Sequence, residues 1–242
     1  MSLLPRLWAG SAALAAPGLR VMLRARLRRG KELQGRLSER RGIETTSRPP
    51  GRLVWLHAAS VGETVSVLPV LESLAARASD LSMLLTTGTV TSARLLATRL
   101  PELGLDRRVA HRFVPLDVPA WVARFLDHWQ PDIAGLVESE LWPNLLVACR
   151  RRGIPVMLLN ARMSPRSYAR WRRVPALARH VLGSFVRVQA QSEVDAERPR
   201  ELGARAVTAP GDSSGKENSG TRTDFPVRMT RAVRLSGRSA GR

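Results

Sequence analysis

The stretch RLVWLHAASVGETVSVLPVLESLAARAS (residues 52–79) sets a short apolar run against a run of helical period, with a small turn between them. RLVWLHA (52–58) lacks polar alternation, as in a strand buried on both faces. ASVGE follows as a turn. In TVSVLPVLESLAARAS (64–79), Val67, Leu68, Leu71 and Leu74 fall on one helical face. The same strand–helix unit recurs downstream. SMLLTT (82–87) reads as a strand and SARLLATRL (92–100) as a helix. RVAHRFVPLD (108–117) is strand and loop, and PAWVARFLDHW (119–129) is a helix with proline in its first turn. PDIAGLVESE (131–140) runs from strand into a polar loop, NLLVACRRRG (144–153) is a helix closed by Gly153, and IPVMLLNAR (154–162) is a further strand. Such alternation predicts an α/β fold, a Rossmann-like parallel sheet with right-handed crossovers.

In open parallel sheets ligands bind outside the carboxyl ends of the strands. The loops selected by that rule are 58–63, 86–91, 115–118, 137–143 and 160–167. In the first, Glu63 opens a helix, where the dipole stabilises a carboxylate by about 0.3–1 kcal/mol. Ser60 and Glu63 also have the S-x-x-E spacing of a capping box, so Glu63 reads either as a cap or as a proton acceptor, and Gly62 permits close approach of a ligand. In the second, Thr86-Thr87-Gly88-Thr89-Val90-Thr91-Ser92 offers hydroxyls and free N–H groups to an anion or a sugar, or caps a helix through Thr91 or Ser92. In the fourth, Glu138 and Glu140 stand two residues apart at a strand end and must be exposed, paired or functional. In the last, Asn160 and Arg162 begin an arginine-rich stretch that is a solvated face, a phosphate site or a membrane contact.

The chain has 242 residues and a formal net charge of +19. That excess favours an anionic partner: nucleic acid, a membrane or a phosphorylated substrate. Residues 141–192 hold ten arginines and no acid, and arginine suits bidentate phosphate binding. Aromatic residues make up 5% and no binding module is recognisable, which argues against nucleic acid. The single cysteine, Cys149, lies in an apolar run, reads as a buried small hydrophobe and excludes an internal disulfide. Four histidines, at 57, 111, 128 and 180, lack ligand spacing, so no metal is expected. GxGxxG, GxSxG, HExxH and CxxC are absent, and the segment 211–217 lacks the spacing and the hydroxyl of a P-loop.

Residues 7–19 are free of charge, with Arg6 before them and Arg20, Arg24, Arg26, Arg28, Arg29 and Lys31 after. Thirteen residues fall short of the roughly 20 that span a bilayer. The pattern fits a shallow membrane anchor with a basic collar, or a surface helix packed on the protein's own core. The organisation expected is therefore a membrane-anchoring segment over 1–30, a Rossmann-like domain over 31–209, and a disordered or aberrant tail over 210–242.

Taken in order, RGKELQGRLSERRG (29–42), WLHAASVGE (55–63), TTGTVTSA (86–93), PLDVP (115–119), ESELWPN (138–144), NARMSPRSY (160–168) and QSEVDAERPRELGA (191–204) resemble the 3-deoxy-D-manno-octulosonic acid (Kdo) transferases. The resemblance implies the N-terminal, acceptor-side half of a GT-B glycosyltransferase at the cytoplasmic face of the bacterial inner membrane. It implies transfer of Kdo from CMP-Kdo to a phosphorylated lipid A precursor in lipopolysaccharide synthesis, without a cofactor. It maps the catalytic base onto Glu63 and a transition-state-stabilising carboxylate onto Glu138. Ser60, Gly62, Thr87, Thr89, Glu140, Asn160 and Arg162 are the expected substrate-binding positions. The family continues with a G-x-L-K element and a donor domain, whereas this sequence reads Gly211-Asp212-Ser213-Ser214. The donor site for CMP-Kdo is thus expected to be missing and the chain to be inactive or weak alone, or to act as a non-catalytic membrane-associated partner.

Overall fold

The computed structural model describes residues 3–138 and 141–210. Seven strands form one parallel sheet in the order β3-β2-β1-β4-β5-β6-β7. They are β1 (Arg52–Ala58), β2 (Leu81–Thr87), β3 (Val109–Phe113), β4 (Ile133–Val137), β5 (Val156–Ala161), β6 (Phe185–Ala190) and β7 (Val207–Thr208). β1 lies inside the sheet, between β2 and β4, and most of its side chains are apolar on both faces. Leu53 and Trp55 enter one core layer, while Val54, Leu56 and Ala58 enter the other. Two helices, α2 (Val61–Arg77) and α3 (Val90–Glu102), cover the second layer with Val67, Leu68, Leu71, Leu74, Leu96 and Leu100. On the first layer lie α4 (Pro119–Trp129), α5 (Pro143–Arg151) and α7 (Pro175–Leu182), which follows the short α6 (Pro165–Arg172). α8 (Glu193–Glu201) joins β6 to β7. Cys149 is buried in the first layer, where desolvation pushes its thiol up to about 12 and leaves it inert.

The chain runs outward from β1 through β2 to β3, then returns to lay β4 against the other edge of β1. The direction of winding reverses between β1 and β4, which opens a crevice at their carboxyl ends.

The N-terminal segment is one helix, α1 (Leu3–Arg28). Leu23 is buried with Val118 and Trp121, and Ala16 and Leu19 pack beside it. On its outer side Leu7, Leu14 and Val21 are exposed, Leu14 at 85%. No helix among the described residues is long and apolar enough to cross a membrane. After α1 come two 3-10 turns, Gln34–Arg36 and Glu39–Arg41. They are pinned to the ends of β2 and β3: Phe113 N donates to Glu39 Oε2 at 2.6 Å, and Leu116 N to Arg40 O at 3.0 Å. Gly42 ends the segment at φ 65°, where an added Cβ would lie 2.0 Å from Trp121 O. The expected tail over 210–242 falls, but for its first residue, outside the described residues.

Candidate active site

Ser60 is the N-cap of α2, with extended backbone and its Oγ accepting from Glu63 N at 3.3 Å. Glu63 folds back in turn, and its Oε2 accepts from Ala59 N at 2.8 Å. The capping box of the sequence is therefore formed, with the return bond made one residue before the cap. Only 7% of Glu63 is exposed. Gly62 beside it is exposed, and a Cβ there would meet nothing within 4 Å.

Glu138 stands at the end of the neighbouring strand β4 in a left-handed conformation, φ 61°. That backbone is uncommon for a residue with a Cβ and costs on the order of 1–3 kcal/mol. It is locked by Glu138 N donating to Leu159 O at 2.8 Å. Partial desolvation raises the Glu138 carboxyl above the usual range, the negative charge of Glu63 raises it further, and Arg162 opposes both. Residues after β1, β4 and β5 thus converge electrostatically on one crevice. Arg162 is exposed. Asn160, also exposed, adopts φ 52° at the end of β5 and accepts from Gln191 Nε2 at 3.4 Å through its carbonyl. Glu140 lies outside the described residues.

Below the crevice His57 is fully buried. Its Nδ1–H donates to Thr86 O at 3.0 Å, and Trp55 Nε1 donates to Thr86 Oγ1 at 2.8 Å. Desolvation pushes His57 down to about 4, so the ring is neutral. It meets Trp142 edge to face, with centroids 6.2 Å apart, and so supports the loop that follows β4.

Thr87 is buried, and its Oγ1 lies 2.9 Å from His111 Nε2. Arg36 donates to His111 Nδ1 at 3.1 Å, which leaves Nε2 to carry the proton toward Thr87. Desolvation and the charges of Arg36, Arg112 and Arg40 push His111 down to about 3. Thr89, rather than the expected Thr91 or Ser92, caps α3: its Oγ1 accepts from Ser92 N at 3.1 Å. Thr89 is the last residue with extended backbone before the helix begins at Val90, and that geometry decides the cap.

Several residues that hold this site had no role assigned in the sequence. Asp117 is half-buried, and its carboxylate accepts from Asn144 N at 3.1 Å and Leu145 N at 2.9 Å. It caps α5 from another loop, and it also receives a hydrogen bond from the Trp8 side chain. Desolvation raises its carboxyl while these bonds lower it. Arg40, 3% exposed, donates to Glu32 Oε2 at 3.0 Å, Gly88 O at 2.6 Å and Val114 O at 3.3 Å, with its guanidinium 4.5 Å from the Phe113 ring centre. The signal for both was placement within the quoted segments 29–42 and 115–119, but a charge buried by a distant partner leaves no local pattern.

Chemically the crevice offers one carboxylate anchored through a single oxygen, a second whose proton affinity is raised, and an arginine able to meet an anion. Such a set can take a proton from a hydroxyl while opposing charge is held alongside.

A family model described as 3-Deoxy-D-manno-octulosonic-acid transferase (kdotransferase) matches residues 35–213. A probable mitochondrial 3-deoxy-D-manno-octulosonic acid transferase of Arabidopsis thaliana is 42% identical over 156 residues, covering 64% of this chain and 34% of that protein. The 3-deoxy-D-manno-octulosonic acid transferase of Rickettsia bellii is 32% identical over 216 residues, 89% of this chain and 49% of that protein. The chain thus spans from about a third to about half the length of these relatives. Among solved structures, MurG of Acinetobacter baumannii aligns over 73% of this chain and 71% of its own with 11% identity and a TM-score of 0.35, a likeness too loose to carry an argument. With three quarters of its length under that family model, the chain belongs to the Kdo transferases, a family of glycosyltransferases.

Proposed function

We propose that this domain is the acceptor half of a GT-B enzyme that moves Kdo from CMP-Kdo to a phosphorylated lipid A precursor in lipopolysaccharide synthesis. The observation that carries the proposal is the meeting of Glu63 and Glu138 where the sheet reverses, with the Glu138 carboxyl raised by burial and by Glu63. In this mechanism Glu63 accepts the proton of an acceptor hydroxyl. The hydroxyl oxygen bonds to the anomeric carbon of Kdo, and the bond from that carbon to the phosphate of CMP breaks in an inverting displacement. Glu138 steadies charge in the transition state. Ser60 and Gly62 shape the near wall, Thr87 and Thr89 the loop after β2, and Asn160 and Arg162 the far wall, with Arg162 meeting an anionic group of the substrate. Glu140 is a further substrate-binding residue in this proposal. CMP-Kdo is supplied from a donor domain.

The exposed apolar face of α1 and its arginines support seating on an anionic membrane surface, the cytoplasmic face of the inner membrane.

The test is transfer of Kdo to a phosphorylated lipid A precursor by this chain supplied with a relative's donor domain. Glu63→Gln is expected to lower the rate by about a hundredfold or more while leaving acceptor binding unchanged. A Glu63→Gln chain that transfers at the original rate refutes the assignment.

A further inference from the structure

The buried arginine of the segment between α1 and β1 makes no hydrogen bond to Glu63 or Glu138, yet it is joined to Glu63 by an unbroken series of contacts. Arg40 is held in place by Glu32, whose other oxygen accepts from Arg26 at 2.8 Å, and by the ring of Phe113. Its Nη2 donates to Gly88 O at 2.6 Å and its Nη1 to Val114 O at 3.3 Å, so one planar group ties the turn after β2 to the chain leaving β3. Gly88 in turn is pressed against the turn after β1. A Cβ on it would lie 2.6 Å from Ala59 O and 3.4 Å from Ala59 Cα, both backbone atoms that cannot swing away. Ala59 N is the donor to Glu63 Oε2 at 2.8 Å. The position of the Ala59 peptide therefore sets the position of the carboxylate, Gly88 sets the peptide, and Arg40 sets Gly88.

We infer that Arg40 is a positioning residue for the Glu63 carboxylate, acting through Gly88 and Ala59. Its catalytic consequence rests on Glu63 being the proton acceptor; the positioning itself does not. Lysine does not replace it, because an ammonium lacks the planar fork that reaches Glu32, Gly88 O and Val114 O together.

The inference is tested by amide hydrogen exchange, read residue by residue by NMR on this chain. Glu63→Ala, which deletes the acceptor, sets the benchmark for a freed Ala59 amide. Arg40→Met, paired with Glu32→Gln so that no buried charge is stranded, and separately Gly88→Ala, which leaves the ion pair intact, are expected to speed Ala59 exchange by about tenfold or more toward that benchmark. Amides of Met157 and Leu158 in β5 should stay within about twofold of their original rates, whereas a general loss of stability would move them too. Arg40→Lys should fall between. The inference is overturned if Ala59 exchange is unchanged in both the paired variant and Gly88→Ala, or if β5 amides accelerate as much as Ala59. Normal transfer by Glu63→Gln would sink the catalytic reading while leaving these exchange rates as they are.

Discussion

At Glu63 the two carboxylate oxygens face different surroundings. Oε2 takes the Ala59 N–H in the cap, and Oε1 has no hydrogen-bond donor among the described residues. Capping therefore leaves the second oxygen available, and the cap, one of the two readings of the S-x-x-E spacing, is formed without excluding the other. His57 shows what burial does in the same place. Its ring is neutral because desolvation lowers it from 6.5 to about 4. A histidine whose folded value lies below its unfolded one adds stability that is complete above 6.5 and is lost as pH falls through the window toward 4. The loss from this one ring is about 3 kcal/mol. Urea unfolding of the unmodified chain at pH 7, 5.5 and 4 should show the decline. His57→Asn should start about 2 kcal/mol less stable at pH 7, having lost the packing on Trp142, but should fall less over the same window. Equal slopes for the two chains would show that His57 is not the titrating group.

At the scale of elements, α2 to α5 were legible from apolar spacing, whereas α6, α7 and α8, beyond residue 162, were not read from it, and helix starts depended on backbone geometry and on residues elsewhere in the chain. Ser60 caps α2 as the local pattern implies, because cap and helix are adjacent. α5 begins at Pro143, and its own N-cap, Trp142, makes no side-chain cap bond. Asp117 supplies the acceptor from the loop before α4, across 28 residues of sequence to Leu145. No reading of residues 138–144 alone reveals it. Asp117→Ala should cost about 2 kcal/mol in chemical denaturation. The loss should come with faster exchange at the Leu145 amide. A change within about 0.5 kcal/mol would mean that water replaces the carboxylate at no loss. The segment 29–42 makes the same point. It looks like a solvated, charged linker by composition, yet Glu32, Glu39 and Arg40 are buried in it. Their burial is tolerable because each charge meets an opposite charge or a backbone group, and removing one partner of such a pair typically costs about 3–5 kcal/mol.

Over the whole molecule, a net charge of +19 and one apolar helix face invite a surface that is both anionic and oily. The two contributions separate by salt. Binding to anionic lipid vesicles should weaken by about tenfold or more between 0.05 and 0.5 M salt, because screening shortens the reach of surface charge from about 14 to about 4 Å. Replacing Leu7, Leu14 and Val21 of α1 by Glu should remove the binding that persists at high salt. Vesicle co-sedimentation reads both outcomes, and equal binding by the triple variant would separate α1 from the membrane. The seven-stranded order explains why the candidate residues meet at all. Glu63 and Glu138 are 75 positions apart in the sequence, and only the return of β4 to the edge of β1 makes them neighbours. By itself the sequence determined the α/β alternation, the strands buried on both faces and the loops where polar residues gather, since each of these is a periodic signal carried by consecutive residues. Only the tertiary structure decided which oxygen of Glu63 is held, that Thr89 rather than Thr91 caps α3, and that Arg40 reaches Gly88. Those outcomes depend on distances between segments that share no local pattern, and packing alone brings Glu32, Arg40, Gly88, Ala59 and Glu63 into one line of contact.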